Sequence, residues 1–316
     1  MAALDFVSLA NKNKRKSIVL VSLLIIFFLF LGIFLDKAIK AEIPVFTLSL
    51  LSVAVIRTIT AYLRGDKKIL KLVGARPVNP GNYKERMLIN LVEELSIAAG
   101  IPKPEIYVMD VHVPNAFATG RSPQNGKICV TSGLLDMMSR EELSGVIAHE
   151  ISHIKNYDIL YAMLTAVLLG TFVAFVVFAQ VNLFVASQVA RSVRSRKGNE
   201  LILMWLLASI ALFVIFVIAK FIGMILSLAV SRAREYLADA GSVEITRNPL
   251  ALASALEKIA NYPYELKVKE QVAHLFFTEP SKRDVKKKVS FWKTLWSTHP
   301  PIEKRIEILK KMAGAY

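Results

Sequence analysis

Four long apolar stretches restrict this chain more than any other feature. Ile18–Leu35 (IVLVSLLIIFFLFLGIFL) runs for 18 residues without a charge. Val45–Leu63 carries Arg57 as its single charge, Ile159–Ala179 carries none, and Leu201–Val230 is interrupted only by Lys220. A spanning helix needs roughly 20 apolar residues, so each stretch is long enough to cross a bilayer. Hydrophobic residues make up 54% of the chain, above the roughly 45–50% of soluble domains, and these stretches hold the excess. The pattern predicts an integral membrane protein with about four transmembrane helices, near 18–35, 45–63, 159–179 and 201–220.

Charge sets the expected orientation. Lys12, Lys14, Arg15 and Lys16 precede the first stretch, and the following DKAIKAE offers no small-residue cleavage site. That argues for an uncleaved anchor with a cytoplasmic N-terminus. The 36–43 connection is balanced, whereas Arg64, Lys67, Lys68, Lys71 and Arg76 follow the second stretch and return the chain to the cytoplasmic side. Arg191, Arg194, Arg196 and Lys197 lie between the third and fourth stretches, where a spanning pair would place an outside loop. Either the first pair dominates orientation, or the second pair is a hairpin that does not fully cross. Both return the chain to the side it left. The net charge of +15 does not indicate a nucleic-acid partner, because the basic residues flank membrane segments. KRDVKKK (282–288) reads as a solvated or headgroup-facing loop. Cys129 is the only cysteine, so no intrachain disulfide can form.

Residues 64–158 read as a compact soluble insert. Asn82 and Glu85 suggest a helix start, apolar positions from Leu88 to Ala99 recur at helical spacing, and Gly100 with Pro102 closes that helix. EIYVMD (105–110) alternates as a strand. NAFATG (115–120) and KICVT (127–131) follow as strands around an Asn125-Gly126 turn signal. A small antiparallel sheet is therefore expected. Ser139 and Glu142 form a second capping box, and Leu143, Val146, Ile147, Ile151 and Ile154 give the next helix its apolar stripe. The division is an anchor at 1–63, a first soluble block at 64–158, a membrane hairpin at 159–230, and a second soluble block at 231–316, the two blocks forming one domain.

The helix with that stripe carries HEISH, residues 149–153. Side chains four apart project from one helical face, so His149 and His153 can bind one zinc ion. Glu150 sits beside the first ligand, where it can take a proton from water and later give it to a leaving amine. A catalytic zinc keeps three protein ligands and one open position. The metzincin continuation is absent, since Asn156 and Ile159 stand where it requires Gly and His. Glu235 in SRAREYLADA (231–240) is the best third ligand, because an apolar hairpin brings it back beside residue 153. Asp239, one turn on, can accept a hydrogen bond from a ligand histidine.

HEISH, SRAREYLADA, PNAFATG (114–120) and THPP (298–301), in this order and around a membrane hairpin, resemble the HtpX family. These are membrane-embedded zinc endopeptidases of protein quality control, related to the CAAX prenyl endopeptidases. The resemblance implies an α+β, mainly helical zincin-type domain in a bacterial or archaeal inner membrane, with its active site facing the cytoplasm. It further implies one zinc per chain on His149, His153 and Glu235, with Glu150 as base and misfolded membrane proteins as polypeptide substrates. Asn115, Ala116, Phe117 and Ala118 resemble the sheet edge along which such enzymes bind peptide as an added strand. His299 and Arg305 match a pattern found near zinc in related proteases. They can stabilise an oxyanion, or His299 can fill the open zinc position. A dedicated processing protease and a scaffold with structural zinc are the alternative readings.

Overall fold

The computed structural model describes residues 6–38, 42–192, 205, 207, 209–210, 213–218, 233–264, 266, 272, 275–277 and 300–314. Among the described residues three helices, α1 (Phe6–Ala38), α2 (Val45–Leu72) and α6 (Asp158–Ser192), are long and apolar enough to cross a membrane. Their large apolar side chains face outward, among them Ile18, Phe30, Leu48, Ile56, Phe178 and Phe184. Such surface is stable against lipid and not against water, which places the chain in a membrane.

All three helices outrun their apolar stretches. The apolar run marks the length that needs lipid, whereas the backbone stays helical until a breaker ends it. Thus α1 begins ahead of its basic cluster and α2 continues through Arg64–Lys71, while α6 runs well past Ala179. The α1–α2 turn is closed by Asp36, whose carboxylate accepts from Phe46 N, Thr47 N and Thr47 Oγ1, satisfying the first amides of α2. The fourth stretch falls largely outside the described residues. Its described part at 213–218 is helical, and Phe216 stacks on Phe175 of α6 with centroids 4.7 Å apart.

The soluble part packs α3 (Tyr83–Ala99), α4 (Ser132–Met137) and α5 (Arg140–Lys155) with a four-stranded sheet. Its strands β1 (Arg76–Pro77), β2 (Glu105–Met109), β3 (Ala116–Thr119) and β4 (Lys127–Thr131) lie in the order β1-β2-β4-β3. The expected all-antiparallel sheet is corrected here. β3 and β4 form the antiparallel hairpin, but β4, its second strand, docks on β2, so β2 and β4 run parallel. The turn also differs from its signal: Gly120 takes the positive φ of 137°, while Asn125 ends a short 3₁₀ turn and Gly126 is extended. The brief β1 had no sequence signal. It is held by Arg76, which pairs with Glu85 and Asp110.

Helix starts follow the local chemistry. Asn82 caps α3 through Lys84 N and Glu85 N, and Gly100 ends it with a left-handed φ of 69°. Glu85 instead turns to Arg76 and Asn79 N. Ser139 and Glu142 make the full capping box on α5, and all five stripe residues of that helix are buried. Glu142 also binds Ser254 and Lys258 of α8 (Pro249–Ala260), each at 2.6 Å. Burial raises the Glu142 pKa, but Lys258, Ser254 and the Ser139 amide outweigh it and hold the carboxyl below its ordinary value. Glu142→Ala is therefore expected to cost about 2–3 kcal/mol of stability at neutral pH, the scale of charge-assisted hydrogen bonds. A depressed folded pKa contributes stability above the unfolded value, roughly 4.3. The difference from wild type should shrink as pH falls through the folded value, which thermal unfolding in detergent at several pH values reads directly.

Candidate metal centre

Two helices build the site. α5 presents His149 and His153 from successive turns, and α7, helical over 233–246, brings Glu235 and Asp239 one turn apart. Close approach of these helices depends on small residues. A Cβ on Gly241 would lie 2.2 Å from Ser152 Oγ, and Ser242 Oγ donates to Gly145 O at 2.8 Å.

The ligand atoms converge. His149 Nε2 and His153 Nε2 are 3.1 Å apart, and the Glu235 carboxylate lies 3.7 Å from the first and 3.6 Å from the second. Behind the rings, His149 Nδ1 faces Asp239 Oδ1 at 3.0 Å and His153 Nδ1 faces Asp158 Oδ2 at 2.8 Å. A carboxylate can only accept, so each of these contacts calls for the proton on Nδ1, which leaves Nε2 of the neutral ring to offer its lone pair to a metal. Two lone pairs and a carboxylate thus point into one gap, an arrangement that a bound cation stabilises. Two imidazoles and one carboxylate are also a donor set that suits zinc. Burial disfavours the His149 cation, yet Asp239 and Glu235 push that imidazole up to about 9, so a proton on Nε2 and a metal ion compete for the same place.

Glu150 lies at the cleft beside these ligands. Its side chain is almost fully buried, and Oε1 has no hydrogen-bond partner among the described residues. Burial pushes its carboxyl up from the ordinary value. Ala118, Ile159, Arg234 and Leu275 line the same cleft.

The other expected residues fall in different places. Of the four-residue edge segment, Ala118 lines the cleft, whereas Phe117 turns into the core against Phe276. Asn115 Oδ1 accepts from Ala116 N, and Ala116 O accepts from Phe277 N at 2.7 Å. Arg305, on α9 (Ile302–Ala313), is 1% exposed, lies 3.5 Å from the Glu235 carboxylate, and is not among the residues that line the cleft. It grips Asp239 with two parallel bonds of 2.8 and 2.6 Å and donates to Phe277 O. Its pKa is raised because Asp239 outweighs the opposing effect of burial. His299 lies outside the described residues. Asp158 was not expected at the site. The available signal was its carboxylate five residues after His153, but only the left-handed Tyr157, φ 59°, folds it back onto the ring.

Comparison with known proteins identifies the family. The model of Peptidase family M48 matches residues 82–313. The chain belongs to this family. Relatives of the M48 chain include a "Protease HtpX homolog" of Thermoanaerobacter pseudethanolicus, 44% identical over 253 residues and covering 80% of each chain. A second, from Pyrococcus furiosus, is 40% identical over 265 residues, covering 83% of this chain and 85% of its own. The solved S. mikatae Ste24p overlays with a TM-score of 0.48 at 17% identity, covering 96% of this chain and 67% of that one. As an M48 member with a His-His-Glu cluster, the protein is a zinc metalloendopeptidase.

Proposed function

We propose that this peptidase hydrolyses misfolded or damaged membrane proteins at the cytoplasmic face of a bacterial or archaeal inner membrane. One zinc per chain would be held by His149, His153 and Glu235. The observation that carries this reading is the convergence of two imidazole lone pairs and the Glu235 carboxylate beside the buried Glu150. Zinc, when bound, acidifies water and polarises a peptide carbonyl. Glu150 takes a proton from the attacking water and passes it to the leaving amine. Asp239 and Asp158 hold the two rings and their tautomers, and Arg305 holds Asp239. A substrate strand pairs with the edge at Ala118, the edge residue that borders the cleft, with main-chain bonds that suit unfolded chains of varied sequence. The protease unit is assembled from 64–158 and 231–316 around the membrane hairpin 159–230, with 1–63 as the anchor.

Orientation has its own support. Asn13, at the basic end of α1, bonds to Asp158 at the metal centre, so that end and the site share one side of the membrane. Positive-inside bias makes it the cytoplasmic side.

The test is metal removal. A chelator is expected to abolish cleavage of an unfolded membrane protein by the detergent-purified chain, and stoichiometric zinc to restore it. Cleavage that survives verified zinc removal would refute the metal-dependent reading. Equal cleavage of folded and unfolded forms of one substrate would refute the quality-control role.

A further inference from the structure

We propose that Asn13, in the first membrane helix, is a positioning residue of the metal centre. The proposal rests on the zinc reading above.

Asn13 is a polar side chain on a mainly apolar helix, and it is 5% exposed. Its amide nitrogen bonds to Asn156 O at 3.0 Å and to Asp158 Oδ1 at 2.6 Å. Both amide hydrogens are thereby used. The first bond satisfies a carbonyl at the C-cap of α5, a few residues beyond the ligand histidines. The second fixes one oxygen of a carboxylate whose other oxygen holds His153 Nδ1 at 2.8 Å. The path Asn13–Asp158–His153 therefore runs from a membrane helix to the metal position, and its first bond joins residues 145 apart in sequence.

Asp158 alone could turn about its side-chain torsion. Arg234 Nη1 stands 4.0 Å from Oδ1, so a carboxylate released by Asn13 would swing toward that cation and leave the His153 ring free to rotate. With Asn13 in place, the proton stays on Nδ1 and the Nε2 lone pair stays directed at the metal. Lys14, the next residue, rests on the Tyr157 ring at 4.0 Å and clamps the same turn. On this view α1 completes the site as well as anchoring it.

The test uses the full chain in detergent and reads zinc affinity by competition with a chromophoric chelator. Asn13→Leu keeps the volume and removes both donors; zinc binding is expected to weaken up to about 10-fold, the low end of the roughly 10–100-fold lost with a group bonded to the ligand itself, because Asn13 acts through Asp158. In an Asp158→Ala background, where no carboxylate remains to orient, the same change should have no further effect. Asn13→Ser, too short to reach, should weaken binding in the same direction and provides the comparison if Asn13→Leu does not fold. Unchanged zinc affinity with a lowered thermal midpoint of the zinc-free protein would overturn the proposal, because Asn13 would then only pack. Additive losses in the double variant would overturn it as well. Failure of the wild-type chain to bind zinc would instead sink the metal-centre reading itself.

Discussion

Glu150→Gln is expected to lower peptide hydrolysis by at least about 10²–10⁴-fold, the range attributed to a positioned general acid–base, while one zinc per chain is retained. The two outcomes separate because the change touches only one of the site's two tasks. Glutamine has nearly the shape of glutamate, and Oε1 has no hydrogen-bond partner to lose among the described residues. The ligand rings are oriented from behind by Asp239 and Asp158, so their geometry does not depend on Glu150. A neutral amide is also easier to bury than a carboxylate whose pKa burial already raises, so thermal stability should hold or rise slightly. Metal analysis beside a cleavage assay reads both quantities. Undiminished cleavage would remove Glu150 from the mechanism, and lost zinc would recast it as part of the metal's support.

Arg305→Met is expected to produce the largest loss of stability, about 3–5 kcal/mol, because breaking a buried ion pair strands its partner. Asp239 is as buried as Arg305 and takes two parallel bonds from it. Methionine fills most of the space but supplies no donor. The stranded carboxylate then either gains a proton or pulls on the His149 ring, so zinc affinity should fall too. Arg305→Lys keeps the charge but cannot reproduce the two-pronged contact, and should fall between wild type and Met. Thermal unfolding in detergent, with and without zinc, separates the two effects. If stability is untouched but turnover collapses, Arg305 acts on the reacting carbonyl, as a sequence reading of its neighbourhood allowed.

Much of the site was legible because helical periodicity alone fixes it. The four-residue spacing of His149 and His153 puts both imidazoles on one face, and Glu235 and Asp239 share the same spacing on a second helix. The capping residues Ser139 and Asn82 and the stripe from Leu143 to Ile154 follow from local hydrogen bonding and burial. Where pairing was not local, legibility stopped. β4 could have joined β2 in either direction, and the parallel choice depends on which strand of the β3–β4 hairpin docks. Arg305 could be placed near zinc by pattern, but not in the cleft lining or out of it. That depended on α9 packing so that its guanidinium meets Asp239.

By itself, then, the sequence determined the membrane habit, through apolar runs too long for water, and the histidine pair with its adjacent base, through the 3.6-residue turn. Only the tertiary structure decided how the ligands are held. Asp158 reaches His153 because Tyr157 adopts a left-handed turn, and Asn13 reaches Asp158 because α1 lies against the start of α6. Neither contact leaves a periodic trace. Each joins residues by where whole helices come to rest, which is set by the packing of many side chains and by no short stretch of the chain.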